Sequence, residues 1–219
     1  MRAPINIAFW TDFYRTREDP NSVYHSAIAS HQLAIDRAEA LWDWKDLSRG
    51  VDFESIRPAI EAIQLEKYAT MEPAEAVDGL GRRLVEEGGL SNATVVTPAF
   101  LLHLETSDPN KYSSKFPIFD ARVWTAFVYL DGRRTGDESL PVGATTSARK
   151  YGEFVEFFRE TLPEDVDGRT YELALFRFGS YINRLSVDSV GDIKTHLSTL
   201  EQMISDYQTQ TGQALSSQR

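Results

Sequence analysis

Residues 97–130 constrain the fold most strongly, because they combine two helical patterns with a polar loop between them. The segment reads TPAFLLHLETSDPNKYSSKFPIFDARVWTAFVYL. After Asp120, apolar residues recur at the spacing of one helical face: Val123, Ala126, Phe127 and Leu130. Aspartate is favoured at the N-cap of a helix, where its charge interacts with the positive end of the helix dipole. The segment therefore predicts a core-facing helix that begins at Asp120.

The rest of the chain also carries helical patterns, so the predicted fold class is mainly α. Apolar periodicity, capping residues and helix breakers predict helices over residues 21–45, 56–68, 73–88, 94–104, 119–130, 147–158, 170–182 and 189–204. Residues 5–9 are the only plausible strand. Loops are predicted at 106–118 and 131–146, and the polar residues 208–219 are predicted to form a frayed tail.

Composition predicts a soluble, cytoplasmic protein without a bound cofactor. The chain has 219 residues, of which 42% are hydrophobic, which is enough for a sizeable core. It contains no cysteine, which excludes disulfides and thiolate metal sites. Neither a signal-peptide pattern nor an apolar run of membrane-spanning length is found in the sequence.

The distribution of charge leaves nucleic-acid binding open. The net charge is −10, and phosphate contacts require local positive charge. Residues 111–150, however, contain seven basic and four acidic residues, a net charge of +3 that leaves −13 for the rest of the chain. A basic band on an acidic protein suits a DNA-binding face, although a solvated loop with scattered charges has the same composition.

Residues 116–124, FPIFDARVW, resemble the segment that carries the essential aspartate in the helix-hairpin-helix DNA glycosylase superfamily. Residues 91–104 then stand where the family has its hairpin and second helix, and residues 173–184 resemble a late helix of the fold. The resemblance covers about residues 25–185. It implies a single two-lobed helical unit, with a central lobe at 50–130 and a second lobe formed by 1–49 and 131–207.

The chain departs from the family pattern in three ways. The stretch that matches the hairpin is LSNAT at 90–94, without the glycines that let backbone amides approach a phosphate. The lysine that forms a Schiff base in bifunctional members is missing, since Val95, Val96 and Thr97 stand at that place. The cysteines that bind an iron–sulfur cluster in some members are absent. The resemblance therefore implies a divergent, monofunctional enzyme with a degenerate hairpin and no metal.

The resemblance also assigns roles to individual residues. Asp120 is the expected catalytic carboxylate, which stabilises positive charge on the deoxyribose and orients water. The expected DNA contacts are Lys115, Arg122, Arg133, Arg134, Asn92 and Thr94. The expected base pocket contains Trp44, Trp124 and Asn183. The implied partner of a monomeric enzyme is double-stranded DNA with a damaged or modified base, in DNA repair or anti-phage defence.

Each of these assignments has a structural alternative. Asp120 is also a plausible plain N-cap, and Arg122 a partner for a neighbouring acid. Trp124 suits the boundary of the core, and Trp44 suits packing between helices. His103, in an apolar helix, is expected to be a hydrogen-bonded core histidine. At the level of function, the alternatives are a non-catalytic helix-hairpin-helix-derived module that binds DNA or protein, and an all-helical protein–protein module.

Overall fold

A computed structural model describes residues 4–12, 20–110, 112–136, 147–185 and 190–216 of the chain. These ranges contain eleven α-helices, a 3-10 turn at Leu47–Arg49 and no β-strand. The helices are α1 Ile7–Asp12, α2 Pro20–Ser30, α3 Ala34–Leu41, α4 Phe53–Glu61, α5 Leu65–Ala69, α6 Pro73–Glu86, α7 Val96–Thr106, α8 Ala121–Thr135, α9 Ala148–Thr161, α10 Gly168–Ile182 and α11 Val190–Ser216. The mainly α prediction is confirmed.

Several of the sequence-based assignments of individual elements are wrong. The loop predicted at 131–146 begins too early, because α8 continues to Thr135; residues 137–146 lie outside the described residues. The predicted strand at residues 5–9 lies largely in α1, where Trp10 packs edge-to-face on Phe178 with ring centres 5.1 Å apart. A lone strand has no partner among these helices for its backbone hydrogen bonds, whereas a helix satisfies them internally. The predicted helix 21–45 is divided into α2 and α3, and the predicted helix 56–68 is divided into α4 and α5.

Most of the predicted helix ends are confirmed. Pro73 occupies the first turn of α6, and Gly88, with φ of 75°, follows its end. Ser147 caps α9 through its side chain. The helix predicted to begin with Thr170 as its cap begins earlier, at Gly168, and its cap is Asp167, whose carboxylate accepts the Thr170 backbone N–H at 3.0 Å. Helix α11 continues to Ser216 and so includes the polar segment predicted to fray from residue 208.

The helices share one continuous hydrophobic core. Helix α7 is buried on nearly every side, with α3, α5 and α6 packed against it. Helix α8 packs along α10, which also packs against α1, and α9 bridges α6 and α8. The sequence analysis expects residues 50–130 to form one lobe and residues 1–49 and 131–207 to form the other. In the structure, α3 contacts α7 and α9 contacts α6, so helices of the two expected lobes pack against each other. The two-lobed glycosylase arrangement therefore stays a prediction.

Among the described residues, no helix is long and apolar enough to cross a membrane.

Candidate functional site

Asp120 is the N-cap of α8, as the sequence predicts. Its Oδ1 atom accepts the backbone N–H groups of Arg122 at 2.8 Å and Val123 at 2.9 Å. These two groups are among the donors that the first turn of a helix leaves without an intrahelical partner. One carboxylate oxygen is therefore used for capping, which leaves the other for different chemistry.

The second oxygen of Asp120 binds Lys45, a residue that the sequence analysis did not select. The Lys45 Nζ atom donates to Asp120 Oδ2 at 3.2 Å, and the two side chains are 6% and 16% exposed. Lys45 lies in the turn after α3, and 75 positions separate the partners. No spacing rule connects residues so far apart, so the sequence holds no signal for this pair.

The ion pair shifts the ionisation of both groups. Burial lowers the pKa of the Lys45 amine, and the attraction of Asp120 only partly opposes this effect. Burial alone would raise the pKa of Asp120, but the charge of Lys45 and the backbone N–H of Val123 bring the net pKa below its usual value. Asp120 is therefore an anion at neutral pH, and Lys45 loses its proton more readily than an exposed lysine.

Asp120 and Lys45 lie in the wall of a small cavity of about 130 Å³. One face of α10 supplies much of the lining, since the contributing residues recur at positions i, i+3, i+4 and i+7: Arg169, Glu172, Leu173 and Phe176. The turn after α3 supplies Trp44, Lys45 and Asp46, and the residues around the start of α8 supply Ile118, Asp120 and Arg122. Three separate segments thus converge on Asp120.

Two of the lining residues from α10 form a buried ion pair. Arg169 is paired with Glu172 one turn further along α10, and both are almost completely buried. The Arg169 guanidinium also lies 5.1 Å from the ring centre of Tyr24 and 5.0 Å from that of Trp44. Its Nε atom is buried without a hydrogen-bond partner in the described part of the chain. Burial lowers the pKa of Arg169, and the guanidinium nevertheless keeps its charge at neutral pH.

The loop that leads into Asp120 is held by side chains from three different places. His103 Nδ1 lies 2.8 Å from the carbonyl oxygen of Phe116, and Tyr151 donates its hydroxyl to the carbonyl of Pro117 at 3.2 Å. The hydroxyl of Tyr112 accepts the backbone N–H of Ile118 at 2.9 Å. Since buried backbone groups need partners, these bonds fix the path of the loop and hence the position of Asp120.

His103 is a hydrogen-bonded core histidine, as predicted. Its side chain is fully buried, and its Nε2 atom lies 2.7 Å from the Tyr24 hydroxyl. Burial lowers the pKa of His103 to about 3, so the ring is neutral at physiological pH. A neutral ring can donate from Nδ1 to Phe116 while Nε2 accepts from Tyr24. The role of His103 in the described structure is to hold the loop.

The expected base-pocket residues do not lie together. Trp44 lines the cavity at Asp120, but Trp124 lines a separate hollow of about 80 Å³ with Phe127 and Lys150. The side-chain oxygen of Asn183 accepts the Thr125 hydroxyl at 2.9 Å, and Asn183 is not part of the lining of the cavity at Asp120.

The expected DNA-contact residues are dispersed as well. Arg122 lines the cavity and is 45% exposed, whereas Lys115 donates to the backbone carbonyl of Ala69 at 2.8 Å. Arg133 and Arg134 lie at the opposite end of α8, about 20 Å from Asp120 at 1.5 Å per residue. Asn92 is exposed and Thr94 half-buried in the connection from α6 to α7.

A larger cavity, of about 570 Å³, lies between α1, α8, α10 and α11. Its lining combines apolar side chains with a similar share of polar surface, and its charged residues are Arg133 and Glu201. The described residues that line it include no carboxylate–amine pair of the kind found at Asp120. The described residues also include no group of histidine and acidic side chains able to hold a metal ion. Of these two cavities, the smaller one is therefore the candidate site, because it holds the buried carboxylate–amine pair.

No protein-family model matches this chain, and no curated protein or solved structure matches it significantly.

Proposed function

We propose that this protein is a DNA glycosylase that hydrolyses the N-glycosidic bond of a damaged or modified base. The observation that carries the proposal is the ionised Asp120, held at the N-terminus of α8 in the wall of a cavity of about 130 Å³. The motif around Asp120 resembles the segment with the essential aspartate in helix-hairpin-helix glycosylases.

The proposed reaction needs a base that has left the DNA stack. A glycosylase extrudes the target nucleotide so that its base enters a protein pocket. The bond from C1′ to the base then breaks, its electron pair leaves with the base, and a water molecule adds to C1′ with loss of a proton. Positive charge develops on the sugar during this step, and a fixed carboxylate stabilises it. In this proposal Asp120 is the carboxylate, because it keeps its negative charge in the cavity wall while its Oδ2 atom pairs with Lys45.

The net charge of the protein does not prevent this role if phosphate contacts are local. Arg122 is partly exposed at the rim of the cavity, and Arg49, 80% exposed, pairs with Asp46 in the cavity wall. Exposed arginines suit phosphate contacts, since the guanidinium presents several donors in a fork. The phosphate backbone of a bound duplex would therefore lie near Arg49 and Arg122.

A panel of duplexes, each with one damaged or modified base, tests the proposal by scoring abasic sites. The wild-type protein should release at least one of the bases. Asp120→Asn should release it at least about 100-fold more slowly, because the negative charge is lost while an amide can still cap α8. Asp167→Asn is the matched control, since it alters the aspartate cap of α10 without removing the proposed catalytic charge. Duplex binding without release of any base would instead favour a non-catalytic DNA-binding module.

One observation favours a second reaction, in which Lys45 makes the enzyme bifunctional. An amine attacks C1′ only when it is unprotonated, and burial makes Lys45 a better candidate than an exposed lysine. Attack would displace the base, and opening of the sugar ring would give an imine. Hydrolysis remains the proposed reaction, because the Lys45 amine is engaged by Asp120.

Borohydride trapping on substrate DNA separates the two reactions, since it reduces an imine to a stable covalent adduct. Hydrolysis predicts no adduct. An adduct that forms with wild type and Lys115→Met but not with Lys45→Met would establish the lyase reaction. Lys111, another lysine near this segment, lies outside the described residues.

A further inference from the structure

We propose that the cavity beside Asp120 selects oxo-bases, meaning bases whose buried edge carries ring carbonyl oxygens, over bases whose edge carries amino groups. The inference rests on the proposed function and adds a substrate class to it. It is carried by the hydrogen-bonding character of the side chains that line the cavity, and by the size of the cavity.

The small volume of the cavity suits an occupant of one ring system better than a larger ligand. Cavities that take drug-sized ligands measure about 300–1,000 Å³, and this one measures about 130 Å³. A whole nucleotide does not fit, so the sugar and phosphate would remain outside. The half-buried rings of Trp44 and Phe176 give the cavity flat apolar surfaces for such a ring.

The carboxylates of the cavity are already engaged. Asp120 accepts two backbone N–H groups and the Lys45 amine. Glu172 is almost completely buried and ion-paired with Arg169 on the same helix, although its Oε2 atom makes no hydrogen bond within the described residues. Asp46 pairs with Arg49 at 2.8 Å. Each of these three carboxylates therefore has a cationic partner, and Arg122 is an additional cation at the cavity.

Lys45 and Arg122 keep donors that no described carboxylate accepts. An ammonium carries three N–H donors, and one hydrogen bond of Lys45, to Asp120, is found among the described residues. A guanidinium carries five N–H donors, and Arg122 reaches Asp120 only at 3.7 Å while lying 4.9 Å from the ring centre of Phe176. Carbonyl oxygens accept from such cations, whereas an amino group directs its own N–H bonds toward them. The cavity is thus complementary to an oxo edge.

Two matched pairs of free bases test the inference without DNA or catalysis: uracil against cytosine, and hypoxanthine against adenine. The members of each pair differ chiefly in an oxo or amino group on the same ring. Binding to the wild-type protein is measured by ligand-observed NMR titration. The oxo member of each pair should bind at least about tenfold more tightly, as expected for a hydrogen bond to a charged donor.

Arg122→Gln should reduce the oxo preference by about threefold or more, because it replaces a cationic donor by a neutral amide. Arg82→Gln, at an exposed arginine on α6 that pairs with Asp78, should leave the preference unchanged. Equal binding of oxo and amino bases, or no binding of any base, would overturn the inference. An equal loss of preference in both variants would also overturn it, because the selectivity would not come from the cavity.

The same bases placed in duplexes, with abasic sites as the readout, test the proposed function separately. An oxo preference of free bases without excision from any duplex would leave the inference standing and contradict the glycosylase proposal. Excision from a duplex by a protein that binds both members of each pair equally would support the glycosylase proposal and overturn the oxo preference.

Discussion

At the scale of single residues, Asp120 combines two roles that its sequence context leaves as alternatives. Its Oδ1 atom caps α8, and its Oδ2 atom pairs with Lys45. An N-cap needs only hydrogen-bond acceptance, which asparagine also provides. The pairing with a buried ammonium needs negative charge. The two roles are therefore separable by a single substitution.

Asp120→Asn should lower the free energy of unfolding at pH 7 by about 1–3 kcal/mol, which exceeds the loss of about 1 kcal/mol or less expected from capping alone. The reason is that the Lys45 ammonium would remain buried without its counter-ion. Urea denaturation provides the measurement.

The double variant Lys45→Met with Asp120→Asn should recover part of that stability, since it removes the unpaired charge as well. If the double variant were less stable than Asp120→Asn, the buried ammonium would not be the cause of the loss.

His103 should make the stability of the protein depend on pH between 3 and 6.5. The pKa of His103 is about 3 in the native protein and 6.5 in an ordinary setting. In this window the unfolded chain binds the proton and the native protein does not, so the free energy of unfolding falls as the pH is lowered. The full effect is about 1.4 kcal/mol per pH unit.

The comparison of wild type with His103→Gln isolates this contribution, because the other titrating groups are common to both proteins. From pH 7 to pH 5, the free energy of unfolding measured by urea denaturation should fall by roughly 2 kcal/mol more in the wild type than in His103→Gln. Equal losses in the two proteins would mean that His103 does not remain neutral on folding. An amide at position 103 can still donate to Phe116 and accept from Tyr24.

At the scale of secondary structure elements, the site depends on how closely α8 approaches α10. A Cβ atom at Gly179 would lie 2.7 Å from the carbonyl carbon of Arg122 and would collide with its oxygen. Gly179 therefore permits the first turn of α8 to lie directly on α10. This close approach brings Asp120 alongside the α10 face that carries Arg169 and Phe176.

Gly179→Ala should destabilise the protein by about 1–3 kcal/mol or more, because backbone on α8 would have to move. The same displacement should reduce base excision, since it shifts Asp120 relative to the α10 face. Thermal denaturation and the abasic-site assay provide the two measurements. Gly50→Ala is the control, because a Cβ there would meet its nearest atom at an ordinary 3.5 Å and φ is −98°. A Gly179→Ala protein as stable and active as the control would disprove the close approach of the two helices.

At the scale of the whole molecule, the basic band seen in the sequence is spread over several places. Arg134 pairs with Asp131 at 2.8 Å and with Glu160 at 2.6 Å. Arg149 and Lys150 both pair with Glu153. Charges that are paired on the surface contribute less to the local potential. The net charge of residues 111–150 therefore overstates the positive potential that DNA would meet there.

Arg49 and Arg122 also have acidic partners, but they lie at the cavity that would take the base, so DNA binding should depend more on them than on the arginines at the end of α8. Charge reversal at Arg49 and Arg122 should weaken duplex binding and flatten its salt dependence by about one unit of slope for each phosphate that is no longer neutralised. Reversal at Arg133 and Arg134 should have the smaller effect. Fluorescence anisotropy at several salt concentrations, in the Asp120→Asn background, measures both. A larger effect at Arg133 and Arg134 would indicate that the duplex binds at the C-terminal end of α8.

The sequence alone determined the features that depend on a few neighbouring residues. The mainly helical class, the cap at Asp120, the start of α9 near residues 146–147 and the burial of His103 follow from local periodicity and capping chemistry, and the structure confirms them. Helical periodicity identifies which residues share a face. It does not identify which faces meet.

The tertiary structure alone decided the composition of the candidate site. Lys45 meets Asp120 across 75 positions, and one face of α10 completes the cavity, because separate helices pack there. Helix packing also places Trp124 in a separate hollow and Asn183 against Thr125, away from the cavity at Asp120, although their residue types suit a base pocket. The pKa of Lys45 also depends on burial, which arises only when the helices pack around it.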